Sequence, residues 1–326
     1  MPRPHTRRAI LHTFSALALL GVRPVRAQAA LPAYSYPIGL PGRPLGDGFI
    51  VRHGYATENT WYNPGWWHTG EDWYLREGDT AGVGVFAAAA GEVVFVGSDY
   101  PGRVVIVAQE DGLYAMYGHL AYEPAVAAGQ VVTRGELLGT VLARTDGIAP
   151  SHLHFELREF FTTPEVNGDA PRYDVGCGFD CPPGPGYWPM DAPEHPAAMG
   201  WRNPTHVING RAFGEGVPAG MEVVVASGAS GDVALWSAPG DEAGAEERGS
   251  LPLRGGDRYP LLAVATGPEA SAGTSAEAYR LWYQLALPDG GEGWVQAARP
   301  SPMETGSDGR PSTVDLALLP GIATPT

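Results

Sequence analysis

From Phe49 to about Arg158, apolar residues come in short runs broken by Gly, Asp and Pro. The runs are Val83–Ala90, Glu92–Val96, Val104–Ala108, Leu113–Tyr117, Gln130–Thr133, Leu137–Ala143 and His152–Leu157. None holds a helical period, so the pattern predicts seven short strands in an antiparallel sheet or barrel. Residues 30–45, rich in Pro and Gly, read as a linker, and 46–210 as the first domain. Within it, 159–200 reads as a long Pro/Gly-rich insertion, a decorated loop, and Trp201–Ile208 as a closing strand. A second β-rich segment follows at 211–300, with strands Met221–Ala226, Val233–Trp236, Leu261–Ala265, Arg280–Leu287 and Trp294–Ala297. Residues 301–326 are mostly small and polar around a short apolar patch, and are expected to be disordered. The whole chain therefore reads as all-β.

The first 29 residues have a different pattern. Arg3, Arg7 and Arg8 precede the mostly apolar stretch Ala9–Val22, and Ala27-Gln28-Ala29 follows. That is the layout of an export signal cleaved after Ala29. The apolar stretch is too short to span a bilayer, so the mature form is expected outside the cytoplasm and not inserted in a membrane. Arg7-Arg8 also fits a twin-arginine signal, and the Sec and twin-arginine routes both stay open.

Composition narrows the function classes. All 21 basic residues are Arg, with no Lys in the chain. Schiff-base chemistry, a phosphate-loop Lys and a lipoyl or biotin attachment are thereby excluded. Removing residues 1–29 leaves 16 Arg against 36 acids, a net charge of −20, which argues against nucleic-acid binding. The pair Cys177 and Cys181 sits in VGCGFDCPPGPG, and in an exported chain reads as a small disulfide loop.

Candidate chemistry lies in the histidines. His152-Leu-His154 places two imidazoles on one face of a strand together with Glu156, while Leu153, Phe155 and Leu157 take the other. The same alternation puts Tyr117 and His119 on one face of a neighbouring strand. His68-Thr-Gly-Glu-Asp72 adds a third imidazole and a carboxylate. Neutral imidazoles with a carboxylate make an open zinc site, and a zinc hydrolase also needs a base beside the metal. His53, His195 and His206 lack such neighbours and are expected to be structural. The aromatic stretch WYNPGWWHTGEDWY (61–74) reads equally as a substrate-stacking wall or as a Trp-packed core cap.

HTGED (68–72), AAAAGEVVFVG (87–97), YGHL (117–120), GELLGTV (135–141) and SHLHFELR (151–158) occur in the order found in the lysostaphin-type, LytM-like zinc endopeptidases. The resemblance covers about residues 50–158. It implies a barrel-like antiparallel fold of the duplicated hybrid motif type, with Zn²⁺ held by His68, Asp72 and His154. It further implies His152 as general base, and His119 orienting the water or stabilising the oxyanion. Tyr62 is a candidate for polarising the scissile carbonyl. The implied substrate is bacterial cell-wall peptidoglycan, cut at a peptide bond by a monomeric enzyme. The chain departs from the pattern at Gln109, where a His is frequent, and in the loop Arg144–Ser151, usually small residues. A non-catalytic wall-binding or amidase-activating scaffold is the alternative, and a loss of ligands would signal it. Residues 211–300 resemble a small bacterial SH3-like barrel, through VALWSAPG, LPLRGGDRYPLL, LWYQLAL and GEGWVQA. The resemblance implies wall binding, with Trp236, Trp282, Tyr283 and Trp294 as anchors or as core.

Overall fold

The computed structural model describes residues 34–59, 63–98, 101–147, 149–166, 171–173, 183–184, 186–214, 216–217, 219–225, 230–272, 280–297 and 316–319. The chain from Leu31 to Thr326 forms one compact unit. Its first part holds β1 (Ile38–Gly39), β2 (Phe49–His53), β3 (Glu58–Asn59), β4 (Asn63–His68), β5 (Glu71–Leu75) and β6 (Gly84–Phe86). There follow β7 (Gly91–Gly97), β8 (Arg103–Gln109), β9 (Tyr114–Leu120), β10 (Val131–Val132), β11 (Leu137–Thr140) and β12 (Leu153–Arg158). Then come β13 (Tyr187–Pro189), α1 (Pro196–Met199), β14 (Trp201–Arg202) and α2 (Pro204–Phe213). The last part holds β15 (Glu222–Val225), β16 (Ser230–Trp236), β17 (Glu247–Arg254), β18 (Arg258–Thr266), β19 (Leu281–Ala286), β20 (Glu292–Gln296) and β21 (Leu316–Leu319). The fold is all-β and antiparallel, as the alternation predicts.

The main sheet runs β10-β7-β8-β9-β12-β5-β2, with β14 paired to the end of β12. β12 is buried along its whole length, yet its sequence alternates apolar and polar. Leu153, Phe155 and Leu157 enter the core with Tyr117, Val105 and Val85. The polar side is buried where the described residues Pro183, Gly184 and Gly186 lie against Arg158 and His154. There β13 pairs with β4, Met190 N–H donates to Gly65 O (2.9 Å) and Thr69 N–H donates to Gly186 O (3.1 Å). The described residues 186–190 of the insertion thus form a wall beside β4.

Four further expectations change. Residues 34–40 are no linker: Tyr34, Tyr36 and Ile38 alternate into the core and β1 pairs with β6. Trp201–Ile208 is not one strand. Only Trp201–Arg202 pairs with β12, and α2 begins at Pro204, with the Asn203 side chain accepting from His206 N–H. An Asn followed by Pro is an N-cap and first-turn signal that outweighs the local β pattern. The boundary expected at 210 falls inside α2. Asn209 there bonds Tyr36 Oη (3.4 Å) on one side and Tyr283 Oη (3.2 Å) on the other, and the hydrophobic core is continuous across it. Finally, Leu316–Leu319, in the tail expected to be disordered, pairs with β15 at the edge of the sheet β17-β16-β20-β19-β18-β15-β21. In that sheet Trp282 and Tyr283 are buried core, whereas Trp236 and Trp294 are half-buried.

Candidate metal centre and active-site cleft

Three elements meet where β4 turns into β5 beside β12. His154 and Asp72 are direct cross-strand partners, and His154 also faces Gly118 of β9. His68 closes β4, and the Thr69-Gly70 turn swings the chain into β5. Glycine is required in this turn, since a Cβ on Gly70 would sit 2.4 Å from the Phe155 carbonyl oxygen.

His68 Nε2, Asp72 Oδ1 and His154 Nδ1 form a near-equilateral triangle. His68 Nε2 to His154 Nδ1 is 3.0 Å, His68 Nε2 to Asp72 Oδ1 is 3.2 Å, and His154 Nδ1 to Asp72 Oδ1 is 3.1 Å. A tetrahedral zinc about 2.1 Å from each of three ligands sets them roughly 3.4 Å apart. The other nitrogen of each imidazole is committed. His68 Nδ1–H donates to Gly54 O (3.2 Å), and His154 Nε2–H donates to Glu156 Oε1 (3.0 Å). These bonds fix the tautomers so that both lone pairs point into the triangle. Two imidazoles and one carboxylate are a zinc donor set, and these residues fit the ion.

Sequence reasoning missed His53 at this point. Its ring stacks on His68 (centroids 4.3 Å apart, planes within 2°), and its Nδ1 lies 3.6 Å from Asp72 Oδ2. With His68 and Asp72 it makes a second cluster of metal-binding types. An imidazole lone pair lies in its ring plane, and two stacked parallel planes share no point. His53 and His68 therefore cannot both ligate one ion, and the triangle through His154 is the better site. No local signal marked His53; its place comes from the β2–β5 pairing, in which it stands opposite Asp72.

Glu156 is the second missed residue. It shares a strand face with His154, as expected, but its carboxylate is saturated by donors. Thr69 Oγ1–H (2.6 Å) and His154 Nε2–H reach Oε1; Arg158 Nη1–H (3.1 Å) and Trp201 Nε1–H (3.1 Å) reach Oε2. Burial works against its charge, but these partners, His154 first, hold its pKa down at about 2. Asp72 is likewise buried, and the surrounding imidazoles keep it well below the usual carboxylate range. Burial lowers His68 to about 4. In His154 burial is outweighed by bonds to Asp72 and Glu156, which raise it to about 9. A divalent cation in the triangle competes directly with that proton.

His152 and His119 line a cleft of about 240 Å³ beside the triangle, with Asp72, Tyr74, Arg144 and Tyr187 among its walls. His152 Nδ1–H donates to Pro150 O (2.8 Å), leaving Nε2 as a lone pair 3.7 Å from Asp72 Oδ1. Tyr74 stacks on its other side (4.8 Å). His119 Nδ1–H donates to Pro101 O (3.1 Å), and its ring meets that of His152 edge-on at 4.6 Å. Burial lowers the pKa of both. The expected shared face of Tyr117 and His119 is wrong. Tyr117 packs on Phe155 in the core and donates no bond to the cleft, while its Oη accepts from Ala88 N–H (2.8 Å). A register shift between β8 and β9 and a left-handed His119 (φ 60°) turn the imidazole to the opposite face.

The remaining candidates sort out by position. His195 caps α1 and lies edge-on to Trp67; His206 is buried against Pro268 O. The aromatic stretch divides: Trp73 is core against Tyr36, Tyr74 is a cleft wall, and Trp67 packs beside Tyr55, Trp188 and Trp201. Tyr62, Cys177 and Cys181 lie outside the described residues.

A buried zinc donor set at the floor of a β-sheet cleft, flanked by two imidazoles that are not part of it, defines the class of zinc-dependent hydrolase sites. Residues 67–169, which include His68, Asp72, His119, His152 and His154, match the model of Peptidase family M23. Among solved structures, the chain is 15% identical to lysostaphin from Staphylococcus simulans, covering 89% of this chain and all of that one, with a TM-score of 0.33. The catalytic domain of lysostaphin is 28% identical over 32% of this chain and 77% of its own (TM-score 0.28). A variant catalytic domain of the prophage-encoded M23 protein EnpA from Enterococcus faecalis is 26% identical over 38% and 86% (TM-score 0.30).

Proposed function

We propose that the protein is an exported zinc endopeptidase that hydrolyses peptide bonds in bacterial peptidoglycan, in stem peptides or cross-bridges. The observation that carries this is the convergence of His68 Nε2, Asp72 Oδ1 and His154 Nδ1 at 3.0–3.2 Å, with each imidazole's other nitrogen bound to an acceptor. In this reading those three residues hold Zn²⁺. When bound, zinc supplies Lewis acidity toward a water and toward the scissile carbonyl.

The protein's own groups do the rest. His152 has one lone pair directed into the cleft and its other nitrogen locked on Pro150 O, which suits it to take a proton from the attacking water. It then gives that proton to the leaving amine. His119, with Nδ1–H committed to Pro101 O, offers Nε2 as an acceptor, so it holds the attacking water and does not donate to the oxyanion. Glu156 fixes the tautomer of His154. The left-handed backbone at His119 is the strained element that aims this group.

Export is supported by the basic, apolar and small-x-small layout of residues 1–29. Among the described residues no helix is long and apolar enough to cross a membrane. The second sheet is read as a wall-holding module, supported by half-buried Trp236 and Trp294 on β16 and β20. The decisive experiment is digestion of purified sacculi of defined chemistry, with the released peptides identified by mass. New amino termini within peptide bonds, abolished by chelation and restored by zinc, are expected. Intact sacculi in the presence of zinc-loaded protein would reject the reading in favour of a scaffold.

A further inference from the structure

A second cavity, of about 330 Å³, opens beside the cleft and is lined by Arg52, Tyr74, Asp79, Thr80, Arg144 and Ser151, among others. The two spaces share Tyr74 and Arg144 as walls. Tyr74 stacks on His152 at 4.8 Å, and Pro150 and Ser151 of this cavity immediately precede His152. An extended peptide advances about 3.3 Å per residue. A residue one or two positions from a bond held at His152 is therefore within reach of Tyr74 and of the wall shared with this cavity.

Two arginines line it. In a chain of net charge −15, Arg52 and Arg144 both stand in its wall beside Asp79, and Asp146 pairs with Arg144 from the cleft side. Asp79 is already engaged locally, its Oδ1 accepting from Ala81 N–H (3.0 Å). Arg52 lies over the Tyr74 ring, 5.6 Å from its centroid, which sets its guanidinium at the junction of the two spaces. Arg144 is the more telling group. Its side chain is 9% exposed, and both Nε (3.1 Å) and Nη2 (2.6 Å) donate to Oδ2 of Asp146, itself 36% exposed at the mouth of the cleft. The Arg144 fork is thus already aimed at a carboxylate at the mouth of the cleft, and that carboxylate comes from an exposed loop residue that a ligand can displace. Arginine's planar fork suits carboxylate recognition.

We infer that Arg144, in the wall shared by the cleft and the second cavity, forms with neighbouring Arg52 a substrate subsite for a carboxylate-bearing residue flanking the scissile bond, with Asp146 holding Arg144 in place until the substrate carboxylate replaces it. This rests on the peptidase reading above and narrows it to acidic stem peptides, as against uncharged glycine bridges.

The test is binding, measured by calorimetry on zinc-loaded full-length protein carrying His152→Ala to prevent turnover. The probes are the stem peptide L-Ala-γ-D-Glu-diaminopimelate-D-Ala, the same peptide with every carboxylate amidated, and pentaglycine. The acidic peptide is expected to bind about 10- to 100-fold more tightly than the amide, the range of hydrogen bonds between charged groups. Adding Arg144→Gln or Arg52→Gln should bring the ratio toward one, and Asp146→Asn should raise affinity for the acidic peptide alone. Equal binding of acid and amide, or preference for pentaglycine, overturns the subsite. So does no binding of any probe. Sacculus digestion by the wild type then shows whether the peptidase reading survives without it.

Discussion

The residues at the centre fall into three jobs that mutation should separate. In the proposed reading His154 is a ligand, Glu156 the group that orients it, and His152 the base. Glu156→Gln keeps the shape but weakens the hold on His154 Nε2–H, and it leaves the buried Arg158 without its counter-charge. The expected result is a zinc affinity lower by about 10- to 100-fold, read by competition with a chelator. Unchanged affinity would mean that the Glu156 network only supports packing. His152→Ala is expected to keep zinc and lose about 10²- to 10⁴-fold in kcat, because its loss removes proton transfer and not a ligand. The spacing of His152, His154 and Glu156 made their shared face legible from sequence. The role of Glu156 was not legible, because its four donors come from Thr69, His154, Arg158 and Trp201, brought together only by the fold. The same holds for His53, which a β2–β5 pairing puts against Asp72.

At the scale of elements, strand alternation was a good guide where ladders are regular and failed where they are not. It located β6 to β12 but misassigned the face of His119, since a bulge and one left-handed residue reverse the alternation. It also read Trp201–Ile208 as a strand, when Asn203 and Pro204 start a helix. The β4–β5 turn shows a tighter constraint. A methyl at Gly70 meets the Phe155 carbonyl at 2.4 Å and Glu156 Cγ at 2.8 Å, so β5 and β12 must part to admit it. Asp72 and His154 are paired across that same boundary. Gly70→Ala is therefore expected to lower Tm and zinc content together, measured by thermal unfolding and metal analysis. Full zinc content at normal Tm would show that the turn has slack.

For the molecule as a whole, the division into separable domains at 210 gives way to one continuous core. α2 links the parts: Asn209 bridges Tyr36 and Tyr283, and Arg211 pairs with both Asp111 and Glu269. Ending the chain at 210 removes Phe213, Met221, Val223 and Tyr283 from a shared core. Each such side chain contributes about 1.5–3 kcal/mol when buried, against a total stability of about 5–15 kcal/mol. The truncated chain is expected to be unfolded or aggregated by circular dichroism and sedimentation. A soluble, folded fragment would restore the two-domain picture. Sequence suggested independence because a second set of strands, resembling an SH3-like barrel, follows at 211–300, but it gave no sign that Asn209 and Arg211 both face across the join.

The central claim is that zinc is held by His68, Asp72 and His154 while His152 stands outside the ligand set. Zinc content per chain, measured on purified wild type, His154→Ala and His152→Ala, tests it directly. The account predicts about one zinc in the wild type and in His152→Ala, and a loss of most of it in His154→Ala. Equal zinc in all three, or loss in His152→Ala as complete as in His154→Ala, would contradict it.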